Sequence, residues 1–289
     1  MTSLTESAVP YTANLPTALH SAANVRELDR LTIASGVPGF VLMTRAAEAA
    51  FALLQARWPM ARRCVVLCGS GNNGGDGYVV ARLARQAGWQ VSVLAVTAPE
   101  RLQGDAHKAW VSARESGVEV RPFSIGPLEA DVIVDAVLGT GLQGDVRGDA
   151  RAAIEAINAA QLPVLAIDIP SGLCADTGNT LGVAVNATVT VTFIGLKIGL
   201  VQSMARCCTG ELFFAGLNVP ENIHNQVPPL AHHVVPANVQ AGLTLRPRDA
   251  HKGHFGHVLV IGGDLGMGGA TLMAAEAAAR VGAGLTSVA

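Results

Sequence analysis

A glycine-rich loop between an apolar run and a helical segment is the feature that most limits how this chain can fold. The run CVVLC, from Cys64 to Cys68, is short and continuous, as strands buried on both faces of a parallel sheet are. GSGNNGGDG follows it, and then YVVARLARQAG, whose apolar residues recur at helical spacing up to Gly88. A strand, a glycine loop and a helix in this order open a βαβ unit, so we expect a parallel sheet.

The same alternation of strand and helix continues along the chain. The apolar runs VSVLAV, DVIVDAV, PVLAIDIP and TVTVTFIGL follow, with helical segments around 107–115 and 151–160 among them. Upstream, residues 18–58 predict a helix, a turn at SGVPG and a second helix. Five or more buried strands separated by helices predict an α/β fold with a doubly wound, mostly parallel sheet and helices on both faces.

A change of texture near residue 226 indicates a domain boundary. QVPPLAHHVVPANVQ carries prolines and no clear period, and we place the boundary near residue 237. Beyond it, HVLVIGGDLGMGGATLMAAEAAARVGAGLTSVA predicts a new strand, a glycine loop, a helix and a strand. About fifty residues are too few for an ordinary α/β domain. We therefore expect one domain over 1–237 and the truncated start of a second domain over 238–289.

Composition and charge exclude several classes of protein. Half of the 289 residues are hydrophobic, 15% are charged and 32 are glycine, which is unlike a disordered chain or a coiled coil. The formal net charge of −2 provides no overall positive field for nucleic acid or an anionic membrane. No apolar run approaches the ~20 residues of a spanning helix, and the first residues show no secretory signal. Five cysteines without CxxC spacing indicate reduced thiols, so we expect a cytoplasmic protein that binds neither nucleic acid nor membrane.

The first glycine loop has the composition of a phosphate site. Glycines let a ligand approach bare backbone amides, and the start of the following helix carries a partial positive charge. Three of the glycines satisfy GxGxxG, but WQVSVLAVTAP offers no acid for a ribose hydroxyl before Glu100, and GK[ST] is absent. The loop is therefore neither the usual dehydrogenase fingerprint nor a Walker A motif. Its additional polar residues are Asn72, Asn73 and Asp76, which are also compatible with a simple capped turn.

Acidic residues stand where two of the predicted strands end. Asp135 lies in DVIVDAV and Asp168 closes PVLAID, and the carboxyl ends of parallel strands line the ligand crevice. Asp135, the Asn73 amide and the Ser171 hydroxyl would form an all-oxygen environment that suits a hard cation, either monovalent or magnesium. Asp168 is a candidate for acid/base work, and a second glycine loop at 139–145 could wrap the ligand from the other side. Each aspartate could instead cap the turn that follows it.

Other conspicuous residues receive structural or solvent roles. Lys197 lies in TFIGLKIGL; its ammonium could reach the crevice, but we favour a side chain that snorkels to the surface. Cys207 and Cys208 are adjacent and have no basic partner nearby in sequence, so we interpret them as structural. His232 and His233 lack metal-ligand spacing and are expected to be solvated.

These motifs together resemble a known family. LDRLTIASGVPGFVLMTRAAEAA, CGSGNNGGDGYVVARLA, VDAVLGTGLQGD, IDIPSGL and TFIGLKIGL are similar, in the same order, to the YjeF N-terminal domain family, the NAD(P)H-hydrate epimerases. The resemblance covers roughly residues 12–237. The tail from HKGHFGHVLVIGGDLG onward resembles the start of an ADP-dependent NAD(P)H-hydrate dehydratase, a ribokinase-like domain that is often fused to the epimerase in bacteria.

The resemblance implies a Rossmann-like fold, a substrate and a set of site residues. The family binds hydrated NADH or NADPH, a damaged cofactor, together with a potassium ion, and it is expected to form a homodimer or a higher homo-oligomer. ADP, or ATP, would serve only the dehydratase. The implied catalytic residue is Asp168, and the implied potassium ligands are Asn73, Asp135 and Ser171. The implied substrate contacts are Asn72, Asn73, Gly74, Gly75, Asp76, Gly139, Thr140, Gly141, Leu142, Gln143, Gly144, Asp145 and Asp168.

The expected chemistry is epimerisation at C6 of the reduced nicotinamide ring. Asp168 would act as general acid and base while hydroxide leaves and water returns to the other face; ring opening and closure is an equal route. One alternative is a non-catalytic scaffold or sensor of the same fold. The presence of all four polar residues, Asn73, Asp135, Asp168 and Ser171, favours the enzyme, because a scaffold would not need them. An NAD-dependent dehydrogenase is disfavoured by the absent ribose acid and by the lack of a separate substrate domain.

Overall fold

The computed structural model describes residues 9–242 and 245–289, whose tertiary contacts divide the chain between His233 and Val234. This division falls a few residues before the boundary that the sequence suggests near 237. In the described part of the chain, no helix combines the length and the apolar character needed to cross a membrane.

The first unit alternates strands and helices, as the apolar runs predict. Its strands are β1 (Ala18–His20), β2 (Arg63–Cys68), β3 (Gln90–Ala95), β4 (Glu119–Pro122), β5 (Val132–Ala136), β6 (Val164–Ile167), β7 (Val189–Phe193), β8 (Leu196–Lys197), β9 (Glu211–Ala215) and β10 (Ala231–His232). Its helices are α1 (Ala22–Ala34), α2 (Gly39–Arg57), α3 (Asn72–Gln86), α4 (Gly104–Glu115), α5 (Gly148–Ala159) and the single turns α6 (Ala205–Cys208) and α7 (Glu221–His224).

Seven of these strands form one parallel sheet in the order β4-β3-β2-β5-β6-β7-β9. The predicted α/β, doubly wound architecture is confirmed. From β2 the chain winds outward through β3 to β4, then returns to place β5 on the other side of β2. The sheet therefore changes winding direction between β2 and β5, and ligands of such sheets bind at the carboxyl ends of the strands at this point.

Apolar side chains cover both faces of the sheet. One cluster packs α2, α3 and α4 against β2, β5 and β7, with Leu54, Tyr78 and Val134 fully buried. The other packs α5 against the opposite face through Ile154 and Ile157, whose spacing of three places both on one side of the helix. Burial on both faces explains why β2 and β6 are almost entirely apolar, whereas β5 includes one aspartate and β7 includes two threonines.

The edge strands β4 and β9 are absent from the sequence prediction. EVRP has a single large apolar residue, and three of its four residues are exposed. ELFFA begins with an exposed glutamate and is only partly buried. EVRP carries no continuous apolar signal, because an edge strand has fewer neighbours to bury it, whereas ELFFA contains the apolar run LFFA, a strand signal that the sequence prediction did not use.

A small second sheet, in the order β10-β1-β8, includes the two-residue strand β8 that follows β7. Its central strand β1 pairs in parallel with β8, which places His20 opposite Lys197. Both side chains are buried. The sequence analysis gave β8 only as the end of the apolar run TVTVTFIGL, and its pairing with β1 makes it a separate strand.

The second unit contains α8 (Pro236–Gly242), β11 (His257–Val260), α9 (Gly269–Val281) and β12 (Leu285–Val288). The strands β11 and β12 pair in parallel, and α9 connects them. Gly282 ends α9 with a φ of +113°, a left-handed conformation that favours glycine. The strand, glycine loop, helix and strand expected after the boundary are present in this order.

Candidate active site

A cavity of about 610 Å³ opens where the winding of the large sheet reverses. Its walls come from α1, α2, the first turn of α3, and the segments that follow β5, β6 and β7. Nine residues suggested by the sequence line it: Asn72, Asn73, Asp76, Gly139, Thr140, Gly141, Leu142, Gln143 and Asp168. Gly74, Gly75, Asp135, Gly144, Asp145 and Ser171 are not among its lining residues.

The two glycines in the middle of NNGGD serve packing within the wall. Both are buried in the first turn of α3. A Cβ at Gly74 would collide with the backbone oxygen of Gly69, and one at Gly75 would lie 2.6 Å from the terminal methyl of Met43. These glycines let α3 start close to the end of β2, so its free backbone N–H groups face the cavity.

A cluster of oxygen atoms lies behind the cavity wall at the end of β5. Asp135 and Ser171 have no exposed surface. The Ser171 hydroxyl donates to Asp135 Oδ1 at 2.6 Å, and the Ser171 N–H donates to Asp135 Oδ2 at 2.8 Å. Burial raises the pKa of Asp135 to about 6, against the opposing effect of the hydrogen bonds from Ser171 and Val137.

Asn73, in the first turn of α3, contributes to this cluster a side-chain oxygen that has no hydrogen-bond donor among the described residues. Its Nδ2 donates to the Leu138 carbonyl at 3.1 Å, and that carbonyl also lies 3.2 Å from the Ser171 hydroxyl. Asn73 is 9% exposed, and its buried Oδ1 has no hydrogen-bond partner among the residues that the structure describes. A buried acceptor without a donor is costly, and a cation would satisfy it. The structure thus brings Asn73, Asp135 and Ser171 together and adds the Leu138 carbonyl to them.

Asp168 stands at the end of β6 in an unusual backbone conformation. Its φ is +66°, and the Ile169 N–H donates to the Ile167 carbonyl at 2.8 Å across it. Ile194, at the end of the neighbouring β7, repeats this arrangement with a φ of +62° and a bond from the Gly195 N–H to the Phe193 carbonyl. A positive φ spanned by an i to i+2 bond is typical of the strained γ-turn, which is rare and tends to occur at functional sites.

One carboxylate oxygen of Asp168 is hydrogen-bonded to neighbouring protein groups, and the other is bonded to none in the described part of the chain. Oδ1 accepts hydrogen bonds from the Lys197 ammonium, the Phe193 N–H at 3.2 Å and the Thr192 hydroxyl at 3.4 Å. Oδ2 receives none from the residues that the structure describes. The side chain is 18% exposed, and it lines the cavity. Asp168 is therefore a fixed carboxylate with one oxygen available to a ligand.

The prediction that Lys197 snorkels to the surface is wrong. Its side chain has no exposed surface, and its ammonium contacts Asp168, the Thr192 hydroxyl at 3.0 Å and the Phe193 carbonyl at 3.1 Å. The pairing of β8 with β1 and the bend at Ile194 turn the end of the segment inward, so the ammonium meets Asp168. A lone charge inside TFIGLKIGL was the available signal, because a buried lysine requires an acidic partner.

Two further charged residues of the cavity come from α1, for which the sequence predicted a helix but no functional residue. Asp29 and Arg26 both line the cavity. Asp29 lies four residues after buried Val25, so it belongs to the inward face of α1, and an acid on an apolar face was the missed signal. Burial raises the pKa of Asp29 to about 6, although the Lys197 ammonium acts in the opposite direction.

Asp76 shares this environment from the other side of the cavity. Burial raises its pKa well above the usual range for an aspartate. The neighbouring carboxylates of Asp168 and Asp29 raise it further, and the Lys197 ammonium lowers it. Four carboxyl groups of the described residues therefore line the cavity: Asp105 pairs with Lys108, and Asp29, Asp76 and Asp168 all interact with the buried Lys197 ammonium.

Comparison with known proteins assigns the chain to a family. The profile of the family described as YjeF-related protein N-terminus matches residues 39–199, more than half of the chain. A protein of Coxiella burnetii named bifunctional NAD(P)H-hydrate repair enzyme Nnr is 48% identical over 274 residues, which cover 94% of this chain and 56% of that protein. An Escherichia coli (strain K12) protein of the same name is 43% identical over 259 residues, which cover 88% and 49%. The chain therefore spans about half the length of the curated relatives it matches.

A solved structure agrees with this assignment at the level of the fold. The crystal structure of the yeast protein YNL200c superposes with a TM-score of 0.64 and 21% sequence identity, and it covers 75% of this chain and 97% of the yeast chain. The glycine loop, the aspartates at the strand ends and the inward lysine all lie inside the segment that the family profile matches. The chain belongs to the family of YjeF-related protein N-termini.

Proposed function

We propose that the first unit epimerises the R and S forms of hydrated NADH and NADPH at C6 of the nicotinamide ring. The observation that carries this proposal is the Asp168 carboxylate, held by Lys197 and presenting one free oxygen to the cavity at the switch point of the sheet. The names of the relatives, NAD(P)H-hydrate repair enzymes, support the same substrate.

The cavity walls suit an anionic dinucleotide despite the low net charge of the chain. The N-terminus of α3 offers free N–H groups and a partial positive charge, and the loop at 139–143 supplies further backbone groups from the opposite side. Arg26 adds a full positive charge at the same cavity. The pyrophosphate would lie against α3, with the hydrated ring toward Asp168.

Asp168 would perform the acid/base chemistry that either route requires. If hydroxide leaves C6, the protonated form of Asp168 gives its proton to the departing oxygen, and the resulting carboxylate takes a proton from the water that adds to the other face. If the ring opens, the ionised carboxylate takes the proton of the C6 hydroxyl, the bond from C6 to nitrogen breaks with its electron pair going to nitrogen, and that nitrogen takes a proton from water; closure on the other face reverses these transfers. Acid/base assistance of this kind contributes ~10²–10⁴-fold to a rate.

The oxygen cluster beside the cavity supports potassium as the resident ion. The unpartnered Asn73 Oδ1, the Asp135 carboxylate and the Ser171 hydroxyl, with the Leu138 carbonyl, would hold it. One carboxylate among neutral oxygens favours a monovalent ion. Potassium would supply positive charge next to the substrate phosphates.

We also propose that residues 238–289 are part of a dehydratase domain, for which the longer relatives would use ADP or ATP. Their strand, glycine loop, helix and strand and the coverage of the bifunctional relatives support this. A homodimer or higher homo-oligomer in the cytoplasm completes the proposal. The free thiols of Cys64, Cys68, Cys174, Cys207 and Cys208 support a reducing compartment.

The deciding experiment follows the two epimers of hydrated NADH by chromatography after mixing with the chain, in potassium and in sodium buffers. Faster interconversion, reduced by replacing potassium, is the expected result. Asp168→Asn keeps the shape and tolerates a positive φ, so it should abolish most turnover while the hydrate still binds. Binding without turnover by the unmodified chain would instead indicate a scaffold or sensor, and oxidation of intact NADH would indicate a dehydrogenase.

A further inference from the structure

We propose that Asp76 is a second catalytic carboxyl group, which supplies the proton to the leaving C6 hydroxyl while Asp168 acts as its ionised partner. This inference rests on the proposed epimerase function and divides between two residues the acid and base roles proposed for Asp168. Asp76 closes NNGGD in the first turn of α3, and its side chain lines the same cavity as Asp168.

The contacts of the two aspartates distinguish their roles. Lys197, the Thr192 hydroxyl and the Phe193 N–H all donate to Asp168, which stabilises the ionised form of that carboxylate. Asp76 receives no hydrogen bond and no ion pair from any residue that the structure describes. The cavity therefore assigns its one buried ammonium to Asp168, and Asp76 is left as the carboxyl group better suited to carry a proton.

The surroundings of Asp76 also disfavour its charged form. The groups that interact electrostatically with Asp76 are Asp168 after β6, Asp29 from α1, Lys197 of β8 and buried Cys68 of β2, and Arg26 and Asp105 line the same cavity. Asp105 is already paired with Lys108. Burial and the carboxylates of Asp168 and Asp29 together keep the pKa of Asp76 high, as expected for a general acid.

The topology brings the two carboxyl groups to the cavity from different elements. Asp76 lies in the first turn of α3, which follows β2, and Asp168 ends β6; β2 and β6 are separated by β5, so these two strands are about 10 Å apart across the sheet. A ring bound between these elements would present opposite faces of C6 to the two groups. Removal of hydroxide on one face and addition of water on the other is the arrangement that an epimerase of this kind needs.

In the route by which hydroxide leaves, each proton and electron pair has a defined donor and acceptor. Asp76 gives its proton to the C6 hydroxyl oxygen, the bond from C6 to that oxygen breaks, and its electron pair leaves with water. The ring nitrogen lone pair forms a double bond to C6, so the ring becomes cationic. A second water attacks the opposite face, its oxygen bonds to C6, its proton goes to Asp168, and the double-bond pair returns to nitrogen. Exchange with solvent then returns a proton to Asp76 and removes one from Asp168.

The test compares Asp76→Asn with Asp76→Glu and with Asp149→Asn, a matched control in the first turn of α5 that is exposed. Asparagine preserves the shape but cannot transfer the proton. We expect kcat for Asp76→Asn to fall ~10²–10⁴-fold, with the affinity for hydrated NADH kept within about threefold. The wild-type rate should fall as pH rises and Asp76 loses its proton, and this basic limb should be missing in Asp76→Asn. Asp76→Glu should recover part of the rate and the basic limb, and Asp149→Asn should match the wild type.

A second measurement does not depend on turnover. The infrared difference spectrum between the wild type and Asp76→Asn at neutral pH, without substrate, should contain the carbonyl band of a protonated carboxylic acid. If Asp76→Asn does not fold, the comparison is made with Asp76→Glu, whose band should be shifted.

Two results would overturn the proposal while the epimerase function stands: an ionised carboxylate band for Asp76, or an active wild type whose Asp76→Asn variant keeps kcat within about threefold. A wild type that interconverts no epimers would instead overturn the proposed function itself.

Discussion

The ion pair between Lys197 and Asp168 gives the most direct test of the structure, through the substitution Lys197→Met. Methionine fills a similar volume without the charge. It removes the three contacts of the ammonium, to Asp168, Thr192 and Phe193, from a position with no exposed surface. Breaking a buried ion pair by removing one partner costs ~3–5 kcal/mol. Because the Asp168 side chain is 18% exposed to the cavity, water relieves part of this, and we expect about 3 kcal/mol.

Thermal unfolding followed by circular dichroism measures this loss. A cost of about 3 kcal/mol corresponds to a fall in Tm of roughly 6–12 °C for a unit of this size. Lys108→Met is the matched control, because Lys108 is 65% exposed and pairs with Asp105 only across one helical turn. Such a pair contributes about 0.5 kcal/mol or less, so its Tm should hardly change.

A double-mutant cycle with Asp168→Asn isolates the interaction itself. Each single variant leaves one charge without its partner, whereas the double variant removes both. The double variant should therefore lose about 1–3 kcal/mol less than the sum of the two single losses. Additive losses, or a Lys197→Met protein as stable as Lys108→Met, would refute the view that these two side chains form one energetic unit.

Three further substitutions test separate parts of the structure. Asp29→Asn should raise the urea midpoint of unfolding at pH 7.5 but not at pH 4. The pKa of Asp29 is about 6 in the folded protein and about 4 in the unfolded chain, so the free energy of unfolding of the wild type falls as the pH rises through this range, by up to ~3 kcal/mol. Glu27→Gln should show no such gain, because Arg30 lowers the pKa of Glu27, and equal gains for Asp29→Asn at both pH values would contradict the burial of its charge. Gly77→Ala should cost ~1–3 kcal/mol, since its Cβ would lie 2.5 Å from that of Ala136, whereas Gly126→Ala meets nothing within 4 Å and should be near neutral in chemical unfolding. Ile194→Gly relieves a positive φ but empties a buried site, so its Tm should fall by less than that of Ile154→Gly, which loses burial without relief of strain.

The sequence predicted the architecture well because the central strands carry a strong local signal. Burial on both faces makes β2, β5, β6 and β7 predominantly apolar, and the helices between them show the 3.6-residue period. The edge strand β4 lacks that signal, whereas β9 contains the apolar run LFFA, which the sequence prediction did not use. The association of Asn73, Asp135 and Ser171 followed from the rule that parallel strands end at one edge of the sheet.

The polar arrangement around Asp168 was less predictable because it depends on contacts distant in sequence. The inward turn of Lys197 requires β1 beside β8 and a left-handed residue at Ile194, a conformation that isoleucine rarely adopts. Burial raises the pKa of Asp29 and of Asp76, and the carboxylate of Asp168, which lies far along the chain, raises both further. Strand periodicity reports neither effect.

The order in which the cavity residues occur along the chain has a consequence for biosynthesis. Asp29 and Asp76 precede Asp168, and Lys197 comes after all three, on a strand held by β1 near the start of the unit. A chain emerging from the ribosome can build β2, the glycine loop and α3 early, because their contacts are close in sequence. Until Lys197 has been synthesised, Asp168 lacks its ammonium partner, and three carboxyl groups share the crevice without a buried cation. The nascent protein should therefore acquire its phosphate-binding loop well before it acquires a competent reaction centre.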